Sequence, residues 1–417
     1  MSILPASFGT YVEHLEQLPF SGPSTAELRP HLDGEVNRRL RDTVELADLR
    51  TVGAFFTGES LADRLVARVP RCYVRWADPA CGCGDLLMAA SWRLQVSRSL
   101  EDTLRAWNDS LIGRDTIEEF AAAARARVVL AAVARGARPS SRCPRCPADL
   151  LTNIQVGDGR ELRYAGETAI VLNPPYGRIV APPNCEWATG LTTEAALFLD
   201  CVVDRARDGA FLAAVLPEVI RAGSRYERLR ERLAKRIGLT AVEPAGVFDA
   251  LTDVDVFVLA GEIGSSASAA TWPLPPDGRS LSDICEVRVG TVVANRDPHK
   301  GPWRPFLDAR SLGAGRTVTP IRSRRFRGTV FTPPFVVVAR TNRPALDGRP
   351  RLRPVIVSAD RPVAIENHLI ALLPHESTLK ACEDIARLLA TAATTTYLDA
   401  RLRCRHLTVQ AMREISP

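Results

Sequence analysis

Lysine is nearly missing from this chain. Only Lys235, Lys300 and Lys380 occur, so almost all of the 54 Lys and Arg residues are arginine. A GC-rich genome produces that bias, so the arginine total is weak evidence for DNA binding. Long apolar runs are also missing: no stretch of about 18 such residues exists, which argues against a membrane span. The opening residues, MSILPASFGT, lack the basic and apolar regions of a secretory signal. The ten scattered cysteines are then expected to be reduced thiols in a cytoplasmic protein. A shortage of apolar residues, the mark of disorder, is not found. The hydrophobic share is 46% and the charged share 24%, and 417 residues suit two or three domains with sizeable cores.

The charge is unevenly spread. Residues 280–417 carry 22 Lys and Arg against 12 Asp and Glu, while residues 1–279 carry 32 against 36. A basic C-terminal third beside a near-neutral remainder points to a polyanion-binding module attached to another domain.

Residues 1–50 are polar and mixed and read as a short helical arm. In LADRLVARV, Leu61, Leu65 and Val69 recur at helical spacing. Strand-then-helix patterns follow for about 200 residues: YVRWADPACGCGDLLMAASWRL, then DSLIGRDTIEEFAAAARARVVLAAVA, then the strand ends NIQVGDGR and TAIVLNPPYG. TTEAALFLDCVVDRARDG and YERLRERLAKRIG read as helices, and GAFLAAVLP and VDVFVLAGE as strands. This alternation predicts an α/β domain over 51–263 with an open, mostly parallel, doubly wound sheet. Ligands of such sheets bind at the carboxyl ends of the strands, where the polar clusters of this sequence fall. Residues 264–280, rich in small residues and proline, read as a linker to a domain over 281–417.

The strongest chemical signal is Asn173-Pro174-Pro175-Tyr176-Gly177, directly after the apolar run AIVL. The lone pair of a nucleobase amine is delocalised into the ring. A side-chain amide oxygen and a backbone carbonyl can each accept one N–H from it and draw the nitrogen towards tetrahedral geometry. Pro174 has no N–H and presents only a carbonyl, Pro175 stiffens the loop, and Tyr176 offers a ring for stacking. The second signal is Asp78-Pro79-Ala80-Cys81-Gly82-Cys83-Gly84. Its alternate glycines let a ligand approach the backbone ahead of a helix N-terminus. Asp115 and Asp158 end the next two strands. Asp115 suits vicinal hydroxyls or a helix start, and Asp158 suits an amine or a turn.

Taken in order, these segments resemble the S-adenosylmethionine-dependent adenine-N6 DNA methyltransferases of the gamma arrangement, typified by the TaqI enzyme. The likeness covers roughly residues 50–260 by motif and the rest by layout. It implies a Rossmann-like methyltransferase fold and a C-terminal α+β target-recognition domain. TVGAFFTG, ending in Thr57 and Gly58, is similar to the family's methionine-contacting motif, although Gly58 stands where proline is usual. Asp78, Pro79, Ala80, Gly82 and Gly84 match the Gly-rich loop, with Cys83 in place of a small residue. Asp115 matches the ribose-binding acid and Asp158 the adenine-binding acid. Asn173, Pro174, Pro175 and Tyr176 match the catalytic loop, and Phe248 the second aromatic against a flipped base. The resemblance implies S-adenosylmethionine as cofactor and double-stranded DNA as partner. It also implies a cognate restriction enzyme or other defence proteins nearby, with no metal and no membrane.

The C-terminal third looks like a target-recognition domain of DNA-specificity subunits, with Arg322, Arg324, Arg325 and Arg327 as candidate DNA contacts or a solvated loop. Cys143 and Cys146 have zinc-knuckle spacing, but no second such pair lies nearby. Two rival readings remain open. One is a methyltransferase acting on RNA bases or protein glutamine, the latter disfavoured by the basic C-terminal domain. The other is a cofactor-binding recognition subunit that needs a partner chain.

Overall fold

The computed structural model describes residues 6–44, 57–248, 254–268, 270, 272, 278–313, 315–342, 349–402 and 406–416. The chain forms two compact units. One comprises Met1–Ile220 and Arg225–Trp272, the other Arg221–Ser224 and Pro273–Pro417.

The first unit is built on β1 (Arg75–Asp78), β2 (Leu111–Asp115), β3 (Ile154–Val156), β4 (Thr168–Leu172), β7 (Phe211–Pro217), β8 (Ile237–Val247) and β9 (Asp255–Ile263). A short hairpin of β5 (Arg178–Val180) and β6 (Leu191–Thr193) stands apart from this sheet. The sheet order is β3-β2-β1-β4-β7-β9-β8. All neighbours from β3 to β7 are parallel, and β9 is antiparallel to both β7 and β8. The order reverses between β1 and β4, which opens a crevice at their carboxyl ends.

The helices are α1 (Ala6–Gln17), α2 (Thr25–Leu32), α3 (Glu35–Thr43), α4 (Glu59–Arg68), α5 (Asp85–Ser91), α6 (Leu100–Ser110), α7 (Glu118–Ala134), α8 (Glu194–Arg205) and α9 (Glu227–Ala234). They cover both faces of the sheet, and the period of two along the strands sorts the core. Trp76, Ala169, Val171, Ala213 and Val215 face the side of α1 to α7. Ala77, Ile170, Leu172, Ala214 and Leu216 face the side of α8 and α9. β4 and β7 are buried along their whole length, which explains their unbroken apolar sequences.

The helical reading of residues 1–50 meets α1, α2 and α3 among the described residues, and they pack on the first unit. Phe8, Tyr11, Val12 and Leu15, spaced three and four apart on α1, are buried in the core of the first unit, where Phe8 meets Phe120 edge-on. The strand β8 escaped the sequence reading because Gly238, Pro244 and Gly246 resemble turn residues. It is an edge strand, with register shifts at Leu239/Ala241 and Pro244/Gly246, where proline and glycine are tolerated. The first unit also runs past the expected boundary at 263. Ala270 donates its N–H to Leu239 O, and Trp272 packs against Phe257.

The second unit is α+β. Its five-stranded sheet has the order β10-β17-β14-β15-β12, and its three-stranded sheet the order β13-β11-β16. The strands are β10 (Cys285–Val289), β11 (Trp303–Leu307), β12 (Thr317–Val318), β13 (Arg322–Arg325), β14 (Phe335–Ala339), β15 (Val355–Val357), β16 (Ala364–Ile365) and β17 (Leu369–Pro374). Helices α10 (Leu379–Leu389) and α11 (Ala392–Arg401) supply Cys382, Ile385, Leu389 and Leu398 to its core. No described helix of either unit is long and apolar enough to cross a membrane.

Candidate active site

A cavity in the first unit opens at the sheet crevice. Thr57, Asp78, Pro79, Ala80, Gly82, Asp115, Asp158, Asn173 and Pro175 all line it. Residues that lie more than 100 positions apart therefore share one wall, because β1, β2, β3 and β4 end side by side.

The Gly-rich loop is braced from below and from the side. Asp78, the last residue of β1, is 1% exposed, and its Oδ1 accepts the N–H of Ala80 at 3.2 Å. Burial, with Asp115 and Asp85 nearby, pushes its carboxyl well above the usual range. Asp115 at the end of β2 accepts the N–H of Gly82 on Oδ2 and that of Ile117 on Oδ1, both at 2.9 Å. Burial raises its carboxyl too, against the backbone N–H groups of Ile117, Gly82 and Thr116, which lower it. Gly84 has φ +88°, and a Cβ there would meet Ala124 Cα of α7 at 2.9 Å. It allows close packing of the loop on α7, and it is not among the residues that line the cavity.

Asp158 is also a turn residue. Its Oδ1 accepts from Arg160 N at 2.9 Å, and the Arg160 guanidinium pairs with both carboxylate oxygens. That side chain holds the carboxyl below its usual range. Asn173 begins directly after the buried β4 and is itself buried. Its Nδ2 donates to Thr57 Oγ1 at 3.0 Å. Of the segment 51–58, only Thr57 and Gly58 lie within the described residues. Pro174 is buried and is not on the cavity wall, whereas Pro175 is. Tyr176 and Phe248 contact each other edge-on, with centroids 5.7 Å apart and planes at 72°. A flat base between two parallel rings needs about 7 Å, so these rings close the gap expected between them.

Sequence reading missed four contributors. Asp85 accepts the Gly58 N–H at 2.9 Å and pairs with Arg127 at 2.7 Å. Arg127 is fully buried in α7. It also donates to Cys83 O, His31 O and Leu32 O, tying the Gly-rich loop to the end of α2. Glu194 lines the cavity at the start of α8, and its N–H bonds Gly177 O at 2.8 Å. Phe198, one turn further along α8, adds an apolar wall with Ile117 and Phe120. An arginine inside an alanine-rich helix was the one available clue.

The arginine cluster divides. Arg322 pairs with Asp308 at 2.5 Å, and Arg325 and Arg327 are exposed. Arg324 is buried, donates to Asp297 O at 2.6 Å and lies over the Phe306 ring. Among the four it is the one that is not exposed. Cys143 and Cys146 are half-buried free thiols.

No protein-family model and no curated protein sequence matches this chain. Solved structures do. The type IIL restriction-modification enzyme MmeI, solved in complex with DNA, is 13% identical. The match covers 97% of this chain and 67% of that one, with a TM-score of 0.51. A type I restriction-modification assembly is 24% identical over 56% of this chain and 46% of its own, with a TM-score of 0.39. The M protein of the type I enzyme EcoKI is 18% identical over 65% and 57%, with a TM-score of 0.37. This chain spans about half the length of the two type I proteins. The fold is shared with MmeI along nearly the whole chain.

Proposed function

We propose that this chain is an adenine-N6 DNA methyltransferase of a restriction-modification or related defence system, with S-adenosylmethionine as its cofactor. One observation carries the reading: the Asn173-Pro-Pro-Tyr loop and the Asp78–Gly84 loop, with Asp115, open onto the same cavity. The likeness to a restriction-modification enzyme in fold supports the same class.

The residues present fit the cofactor. Asp115 has acceptor positions beyond its two N–H bonds for a ribose diol. Ile117, Phe120 and Phe198 offer apolar contact for an adenine ring, and Asp158 an acceptor for its amine. The backbone of the Gly82 turn admits close approach. When bound, S-adenosylmethionine supplies an electrophilic methyl group on a sulfonium sulfur.

The chain's own groups prepare the acceptor. The target adenine must leave the duplex stack, since its amine is out of reach within it. The Thr57 hydroxyl accepts from Asn173 Nδ2 and so fixes the side-chain amide, whose oxygen accepts an N–H of the adenine amine. That bond, with one from the Pro174 carbonyl, localises the nitrogen lone pair for attack. Tyr176 stacks on the base once Phe248 has moved aside. Orientation and electrostatics carry the rate, with no covalent enzyme intermediate.

A tritium-transfer assay with the full chain on duplex DNA, RNA and protein tests this. Label is expected in duplex DNA, recovered as N6-methyladenine after digestion to nucleosides. Label confined to RNA or protein would overturn the substrate, and no cofactor binding would overturn the class.

A further inference from the structure

Five carboxylates line the cavity of the first unit: Asp78, Asp85, Asp115, Asp158 and Glu194. Asp78 accepts from Ala80, Asp85 from Gly58 and Arg127, and Asp115 from Gly82 and Ile117. Asp158 is held by Arg160. It accepts the Arg160 backbone N–H, an Nη2–H, and the Nε–H, which its two oxygens share. A carboxylate offers about four lone-pair positions, so Asp158 has one to spare once the Nε–H settles on a single oxygen. Among the described residues, the Glu194 carboxylate has no hydrogen-bond partner.

Its neighbours fix its place. The Glu194 N–H bonds Gly177 O at 2.8 Å, and a Cβ on Gly177 would meet Glu194 Oε2 at 3.0 Å. The carboxylate therefore lies against the end of the Asn-Pro-Pro-Tyr loop, where glycine leaves it room. Phe198 and Cys201, four and seven residues on, share its face of α8. Phe198 lines the cavity, and Cys201 Sγ donates to Arg160 O at 3.2 Å. The helix is thus seated on the turn that carries Asp158, and the charges of Arg160 and Asp158 act on the Glu194 carboxyl. β3 lies outside β2 in the sheet, so the turn after it forms the end of the cavity beyond Asp115.

We propose that Glu194 reads the adenine amine of the cofactor. With Asp115 on the ribose, the base reaches the end of the cavity where Asp158, Glu194 and Phe198 meet. An exocyclic amine carries two N–H groups. Asp158 has room for one of them, and Glu194 accepts the other. At the amine's position a hypoxanthine base presents a carbonyl, an acceptor set against acceptors. Glu194 is therefore a specificity-determining residue that selects an adenosine cofactor over its inosine counterpart. This rests on the reading that the cavity holds S-adenosylmethionine.

The test is calorimetry on the full chain with S-adenosylhomocysteine and with S-inosylhomocysteine, which carries a carbonyl in place of the amine. The wild type is expected to bind the adenosine compound about a hundredfold tighter, since N–H bonds to carboxylates are lost and an acceptor is left facing them. Glu194→Gln keeps the shape and offers the inosine carbonyl an amide N–H. It should narrow the preference about tenfold, mainly by tighter binding of the inosine compound. Glu194→Ala should narrow it as well, by weaker binding of the adenosine compound. Circular dichroism checks the fold of each variant. A residue that only braced Gly177 would weaken both ligands alike. An unchanged preference in both variants would overturn the assignment, as would a wild type that binds the two ligands equally. A preference that narrows in Asp158→Asn but not in Glu194→Gln would give the amine to Asp158 alone and overturn it too. A wild type that binds neither ligand would instead sink the cofactor reading, and the proposal with it.

Discussion

The backbone N–H of Gly82 sits 2.9 Å from Oδ2 of Asp115, so the acid that ends β2 holds the glycine turn that follows β1. The carboxylate thus shapes the cavity wall and also faces the cavity. The bond makes Asp115 more than an acid at a helix start.

Asp115→Ala is expected to weaken S-adenosylmethionine binding about ten- to a hundredfold, or about 1.4–2.8 kcal/mol, by calorimetry. Asp115→Asn should lose less, because its amide oxygen can still accept from Gly82. Equal affinity in all three proteins would confine Asp115 to a structural role.

The same carboxyl, raised by burial, makes two opposite pH trends. The folded protein holds this proton more tightly than the unfolded chain does. Its contribution to stability is therefore present below the ordinary aspartate value and is lost as pH rises through the raised one. Cofactor binding needs the ionised form, so affinity should climb through that same window. Asp115→Asn should remove the Asp115 part of both curves, leaving the parts due to other shifted carboxyls such as Asp78 and Glu194, both raised, and Asp158, lowered. Melting temperature and cofactor Kd across acidic to neutral pH check this. An affinity that falls with rising pH would contradict it.

Asn173→Ala is expected to lower methyl transfer by two to four orders of magnitude, a rough figure for one oriented polar group. Cofactor affinity should stay within a few-fold. Thr57→Val removes the acceptor of Asn173 Nδ2 and should reduce turnover about tenfold, with little change in DNA affinity. Single-turnover kinetics separate the two steps, and wild-type rates in Asn173→Ala would end the catalytic assignment.

Arg127→Met should be among the most destabilising single changes, costing about 3–5 kcal/mol, because it leaves Asp85 and three backbone carbonyls without their partner. Pairing it with Asp85→Ala should cost less than the two separate losses added together. Urea unfolding of the three variants measures this, and simple additivity would mean that the two side chains do not act as a unit.

Phe248→Ala removes the ring that now touches Tyr176. The variant should admit the flipped base without displacing a ring but hold it less firmly. Fluorescence of 2-aminopurine placed at the target adenine of the mapped site is therefore expected to rise less in the variant complex than in the wild-type one. An equal rise would remove Phe248 from base binding.

Much of the site was legible because chemistry there depends on residue type and strand end. An apolar run stopping at Asn-Pro-Pro-Tyr, and another stopping at Asp with alternate glycines, mark two crevice loops before any coordinates exist. Periodicity likewise determined the alternating units of the sheet, since buried parallel strands must be apolar throughout. Neighbourhood across the chain was not legible. Nothing local says that Arg127 reaches back to Asp85, that Thr57 meets Asn173, or that Tyr176 and Phe248 touch. Those contacts arise only when separate strands come side by side and helices stack on them. The four clustered arginines were one group in the sequence. Strand alternation and the packing of Phe306 turned Arg324 inward while Arg325 stayed in water, because a pleated strand sends neighbouring side chains to opposite faces.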